Sequence, residues 1–343
     1  MRRVELLVCL AIAVAASGCH RRAREAGPAP SRAFYFWRTT LALTPAEQHA
    51  LVEHRVTRLY VRAFDIDDAG ALVGPLTVPT GAAATLPPDL EIVPVVFLRQ
   101  ALFRHPPGDL AARVAQAVVE RMTPFGAAIH EVQLDCDWTD RTHDAYFAFL
   151  RDLHTRMPGV VQSATIRLHQ VKYRERTGVP PVERGMLMFY NMGELGAAPG
   201  AHAIFDPESA AKYLGRLGEY PLPLDVALPL WSWTVHVRDG VIVGLMQSTD
   251  PSELPALDFL VRAPGGGGGF TVTRTTFLHG EMLREGDALQ PELTTSADTL
   301  AAAALVAPSL PAATRTLALF DLSERNLARH DSHSLDQIFQ SVR

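Results

Sequence analysis

The sequence predicts an α/β protein built as a (β/α)8 TIM barrel, with a β-hairpin subdomain inserted after the seventh strand. Three observations lead there. From Ala33 onward, short runs rich in β-branched and aromatic residues alternate with longer amphipathic stretches, the pattern of βα units around a parallel sheet. Eight such runs can be counted, at residues 33–37, 58–65, 91–98, 131–138, 160–169, 185–192, 224–233 and 315–322. The first is not followed by the glycine-rich turn of a doubly wound dinucleotide fold, so one barrel accounts for the 343 residues better than two such halves.

The stretches between the runs carry helix signals. Residues 44–54 open on Thr44 as N-cap, with Pro45 at the first helical position and Glu47 placed to close a capping box. Residues 109–122 and 141–156 read as two more helices. Late in the chain, VHVRDGVIVGL (235–245) reads as a hairpin turning at Asp239-Gly240. Five glycines (265–269) then precede another strand-like run, so a β insertion is expected over residues 235–280. The glycine run lacks the Lys and Ser/Thr of a phosphate loop and reads as a linker.

Apolar residues make up 48% and charged residues 20%, a globular composition able to bury a large core. The formal charge is −5, and no basic stripe interleaves with aromatics, so nucleic acid is not an expected partner. At the N-terminus, Arg2-Arg3 precedes an apolar run at 6–16 that is too short to span a bilayer and fits a signal peptide. The run ends in Ala16-Ser17-Gly18-Cys19, which resembles the bacterial lipobox; the resemblance implies cleavage before Cys19 and lipidation of its thiol. The expected organisation is a signal peptide over 1–18, a tether over 19–31 and the barrel over 32–343. The lipid would anchor the protein to a membrane of the bacterial cell envelope. His20 stands where an Asp is the usual inner-membrane retention signal, which points to the outer membrane. With Cys19 acylated, Cys136 is the only thiol of the mature chain, so no internal disulfide is expected.

Polar residues near the C-terminal ends of buried strands need a reason, and catalysis at the top of a barrel is one. In Glu131-Val-Gln-Leu-Asp-Cys-Asp-Trp-Thr139, period-two alternation puts Gln133, Asp135, Asp137 and Thr139 on one face, and Val132, Leu134, Cys136 and Trp138 on the other. The polar set is expected to face the lumen. Two residues of rise separate Asp135 from Asp137 by about 6.5–7 Å, so repulsion would raise one pKa and supply a protonated acid. Alternatively, both simply pair with buried arginines. In the fifth run Ser163, Thr165, Arg167 and His169 share a face, with Arg167 the counter-ion for either aspartate and His169 either a reacting group or a hydrogen-bonded lining residue. Arg62 and Asp65 end the second run and could bind sugar hydroxyls or each other. Tyr190-Asn191 ends the sixth run, with Glu194 following, and Trp231-Ser232-Trp233 ends the seventh. Tryptophans at a barrel mouth suit stacking on a pyranose ring, although one of the two is expected to face the helix layer. There is no His-x-His on an early strand, no His-Glu-x-x-His and no cysteine cluster, so neither metal nor cofactor is expected. No Gly-x-Ser-x-Gly elbow is present, and Cys136 falls on the outward face.

Val132–Thr139 resembles the fourth-strand signature Gly-x-Asp-x-Asp-x-Glu of family 18 glycoside hydrolases, the chitinase-like barrels. Asp135, Asp137 and Trp138 match, while Thr139 stands in the place of the catalytic Glu. Met188-Phe-Tyr-Asn191 resembles that family's sixth-strand Met-x-Tyr-Asp, with Asn191 replacing the Asp. FYFWRT, LDCDWT, SATIRLHQVKY, GVPPVERGMLMFYNMG and LPLWSW are also similar to a bacterial envelope family, domain-of-unknown-function family 3142, over nearly the whole mature chain. The resemblance implies a sugar-binding barrel in which the Glu would protonate the leaving oxygen, a duty that Thr139 cannot perform at useful strength. Two readings follow. One is a lipid-anchored glycoside hydrolase-like enzyme acting on an envelope or extracellular polysaccharide. Its acid would be Asp137 with Asp135 as electrostatic partner, then Glu194, then His169, and Arg62, Asp65, Arg167, His169, Tyr190, Asn191, Trp231 and Trp233 would hold the oligosaccharide. The other is a non-catalytic carbohydrate-binding or scaffold lipoprotein that kept the cleft and lost the acid.

Overall fold

The computed structural model describes residues 29–126, 128–193, 203–264, 268–310 and 316–342. The expected signal peptide, Cys19, all but the end of the tether, Glu194 and part of the glycine run lie outside the described residues.

Eight parallel strands close into a barrel. They are β1 (Ser31–Phe36), β2 (Arg58–Ile66), β3 (Glu91–Leu98), β4 (Glu131–Asp135), β5 (Val161–Arg167), β6 (Arg184–Met188), β7 (Leu224–Pro229) and β8 (Thr316–Phe320). Each pairs in parallel with the next, and β8 returns to β1 in the register Ser31↔Thr316. The eight expected runs are these eight strands.

The strands end earlier than the alternation suggested. Four expected runs continue two to four residues past the observed ends of β4 through β7, because polar/apolar alternation persists where the backbone has already left the sheet. His169 illustrates the correction: it does not share the lumen face of β5 but lies in the short helix Leu168–Lys172. There the Gln170 side chain accepts from the Arg167 backbone N–H at 2.8 Å, which turns the chain out of the strand.

Two apolar layers follow from the period of two. One packs the sheet against the surrounding helices. It includes Trp138, whose indole stacks on Tyr146 at 5.3 Å and donates to the Thr177 carbonyl at 2.9 Å. Cys136 is buried in this layer, and burial pushes its thiol well above the usual range, so it is no nucleophile. The other layer fills the lumen with Ala33, Tyr35, Tyr60, Val93, Val95, Met186 and Met188. Tyr35 stacks on Tyr60 at 4.9 Å and donates to Gln133 Oε1 at 2.5 Å, so Gln133 of β4 does face inward. Gly185 on β6 is required by packing: a Cβ there would stand 2.7 Å from both Ile166 and Leu224.

Charged residues at the strand starts close the N-terminal end. Arg58 holds Glu131 and Glu91, each at 2.9 Å, and Arg184 holds Asp225. At the other end, helix Pro45–Glu53 carries the expected capping box between Thr44 and Glu47.

Between β7 and β8 the chain forms a five-stranded antiparallel sheet. Trp233–Arg238 lies between Val241–Met246 and Ala288–Glu292, and Phe270–Val272 and Leu260–Arg262 extend it. Asp239 and Gly240, at φ 50° and 74°, make the hairpin turn. The insertion has its own core, including Leu254, Phe270, Val272 and Leu283. Asp250 ties it to the barrel by accepting from Arg329 at 2.8 Å.

Candidate active-site cleft

A cleft of about 750 Å³ opens at the C-terminal end of the barrel, where the strand ends and the insertion meet. Its wall is aromatic. The Trp231 ring meets Tyr190 edge-on at 4.6 Å, Phe320 at 5.3 Å and Trp233 at 6.1 Å, and Phe320 meets Trp37 at 5.3 Å. Gln247 and Ser248 of the insertion line the same space.

Of the residues singled out in the sequence, the cleft gathers Asp135, Arg167, Tyr190, Asn191, Trp231 and Trp233. Tyr190 is buried, with its phenol donating to Met188 Sδ at 3.4 Å; burial pushes its pKa well up, so the ring remains a neutral donor. Asn191 adopts φ 55°, a left-handed conformation that Asn tolerates, and its backbone N–H donates to the Ile204 carbonyl at 2.8 Å. Trp233 donates to Glu292 Oε2 at 2.7 Å, which fixes one edge of the aromatic wall.

Asp135 and Asp137 are divided by depth. Asp135 is buried, accepts from Thr165 Oγ1 at 2.7 Å and lines the cleft. Burial pushes its carboxyl above the ordinary range, against the opposing pull of the Arg167 guanidinium. Asp137, expected to be the acid, is 53% exposed, accepts from Arg167 Nε at 2.6 Å and does not line the cleft. Two residues beyond the strand end, the chain has begun to turn toward helix His143–Arg156, and the carboxylate turns with it.

The other expected residues lie outside this space. Arg62 and Asp65 pair with each other through Arg62 Nε and Asp65 Oδ1 at 2.7 Å and through a second contact between Arg62 Nη2 and Asp65 Oδ2. Arg62 also lies 5.7 Å over the Trp37 ring, so the pair braces the cleft wall without lining it. His169 is exposed on its helix and lines nothing here. Thr139 is absorbed in a turn, its Oγ1 3.3 Å from Thr142 Oγ1 and accepting from the Arg141 backbone at 3.3 Å.

Sequence reasoning passed over the ends of β1 and β8. Trp37, Arg38, Phe320, Asp321 and Asn326 all line the cleft. The rule that barrel chemistry sits at strand C-termini would have found all but Asn326, which lies in the short helix Glu324–Leu327, had it been applied to the first and eighth strands as it was to the fourth. Glu47 reaches the cleft as well, fully occupied by the Arg38 guanidinium at 2.6 Å and the Thr44 and Glu324 backbone N–H groups at 3.0 and 2.9 Å. Asp321 is different. Its Oδ1 accepts from Asn326 Nδ2 at 2.5 Å, it makes no ion pair among the described residues, and burial pushes its carboxyl up to about 6 despite the pull of Arg38. No group of three potential metal ligands gathers among the described residues.

No protein-family model matches the chain, and no curated protein sequence matches it. Solved structures do. The spore cortex-lytic enzyme SleL of Bacillus cereus superposes with a TM-score of 0.57 at 11% identity, over 91% of this chain and 74% of its own. The chitinase-like agglutinin of Robinia pseudoacacia gives 0.52 at 11%, over 91% and 99% of the two chains. The family 18 chitinase of Cycas revoluta in complex with (GlcNAc)3 gives 0.53 at 10%, again over 91% and 99%. The fold is therefore that of the chitinase-like barrels which the β4 and β6 motifs resemble.

Proposed function

We propose that the protein is a lipid-anchored, envelope-facing barrel whose cleft binds an oligosaccharide containing N-acetylglucosamine. The observation that carries this reading is the aromatic-walled cleft at the C-terminal end of a chitinase-like barrel. Flat apolar rings beside a few polar groups suit the face of a sugar and its hydroxyls. Structural neighbours include an agglutinin and a chitinase in complex with (GlcNAc)3. Binding is favoured over cleavage by the family's own apparatus, since Thr139 replaces the Glu and Asp137 is committed to Arg167 outside the cleft. Cleavage by other groups is a second reading, favoured by Asp321 and Asp135, the two cleft-lining carboxyls whose pKa values are raised.

Titration of the full-length chain with (GlcNAc)4, followed by calorimetry, tests the binding reading. Saturable binding is expected, and Trp231→Ala should weaken it by about 2 kcal/mol, roughly 30-fold, because truncation removes a central aromatic anchor. An affinity that this truncation leaves unchanged would sink the assignment of the aromatic wall. The anchor has a separate test: Cys19→Ala should move the protein from the membrane fraction to the soluble fraction, and retention in the membrane would refute lipidation at that thiol.

A further inference from the structure

We propose that Asp321 is the proton donor of this cleft, supplying from the eighth strand the acid that Thr139 cannot supply from the fourth. The inference rests on the glycan-binding reading and goes beyond it, from holding a sugar to cleaving one. Asp321 directly follows β8 and lines the cleft beside Phe320. Asp135, at the end of β4, lines the same space. In a closed barrel of eight strands β4 and β8 stand opposite one another, so two carboxyl groups flank whatever occupies the mouth. A pair of carboxyls on either side of the scissile bond is the commonest apparatus of glycoside hydrolysis.

The proton's place on Asp321 follows from its partners. Arg329 Nη2 donates to Asn326 Oδ1 at 2.6 Å, which fixes the amide so that Nδ2 points at Asp321 Oδ1. Arg329 is itself held by Asp250 of the insertion at 2.8 Å. Asp321 Oδ1 is thereby an acceptor, and Oδ2 is left to carry the proton. The charged and titratable groups around it are Arg38 and Glu47 from the β1 side, Tyr190 from β6 and Arg329 behind Asn326. Arg38 is spent on Glu47, and Arg329 on Asp250 and the Asn326 amide. In the step itself, Oδ2 gives its proton to the glycosidic oxygen as the bond from that oxygen to the anomeric carbon breaks. Water then adds to the anomeric carbon and gives up one proton, which returns through solvent to the Asp321 carboxylate. One water is consumed and nothing is oxidised or reduced.

The test uses the full-length chain with (GlcNAc)4, following products by chromatography and binding by calorimetry. The wild type should release shorter sugars, and its kcat should fall as pH rises through about 6. Asp321→Asn should bind within about threefold of the wild type while losing about 10²–10⁴ in turnover, the contribution typical of a general acid. Asn326→Ala should move the fall in kcat to higher pH, since the amide's hydrogen bond favours the ionised form; a merely structural role would leave the pH profile in place. If Asp321→Asn fails to fold, the two pH profiles still decide. Turnover by Asp321→Asn at the wild-type rate, or an unshifted profile in Asn326→Ala, overturns the proposal. Binding by the wild type without any cleavage overturns it and leaves the binding reading intact, whereas an absence of binding overturns both.

Discussion

Replacing Arg184 by leucine is expected to lower the unfolding free energy by about 3–5 kcal/mol, the loss seen when one partner of a buried ion pair is removed. Asp225 is 2% exposed and accepts from Arg184 Nε at 3.0 Å, from Arg184 Nη2 at 2.6 Å and from the Thr316 backbone N–H at 2.9 Å. These residues stand in the first two positions of β7, β6 and β8, so a single carboxylate pins three neighbouring strands at the closed end of the barrel. Leucine fills the volume of the arginine stem but removes the guanidinium that meets the buried carboxylate at 2.6 Å. Urea unfolding should show a lower midpoint with an unchanged slope. A loss below about 1 kcal/mol would mean that water reaches Asp225 and the pair is not sealed.

Asp321→Asn should make the protein more stable at neutral pH, and only there. The folded carboxyl titrates near 6, against an ordinary value of 3.8. A group whose pKa is raised on folding adds stability that is fully present below the unfolded value and is lost as pH rises through the folded one. Two units correspond to about 3 kcal/mol, so the wild type should lose roughly that much between about pH 4 and pH 6. Asparagine cannot ionise and escapes the loss. The variant should therefore gain about 3 kcal/mol over the wild type at pH 7.5 and nothing at pH 3.5. Asp135 is shifted in the same direction but is common to both proteins, so the difference isolates Asp321. Denaturant unfolding at the two pH values is the measurement, and a gain of equal size at both would show that ionisation of Asp321 is not its cause. A carboxyl kept at such a cost in stability is what a proton-donating site requires.

Much of the scaffold is legible in the sequence. Alternation over residues 131–138 sends Trp138 and Cys136 outward and Gln133 and Asp135 inward, because a run buried on both faces must still separate packing residues from lumen residues. Thr44, Pro45 and Glu47 announced their helix through purely local hydrogen bonds. The site was less legible where alternation outran the sheet. Asp137 and His169 keep the phase of their strands in the sequence, yet each stands beyond the last paired residue, on backbone that has already turned.

Residue type and period alone carry the eight-fold βα architecture, the inward set of polar residues on β4 and the threonine at 139, where the chitinase-like signature has a glutamate. Which carboxyls share the cleft depends on how the barrel closes. Closure of the barrel sets β8 opposite β4, 186 residues apart from Asp135 to Asp321, and brings Asn326, Arg329 and Asp250 of the insertion into one hydrogen-bonded line behind the acid. Burial and partners at that distance along the chain arise from packing, which no local pattern encodes.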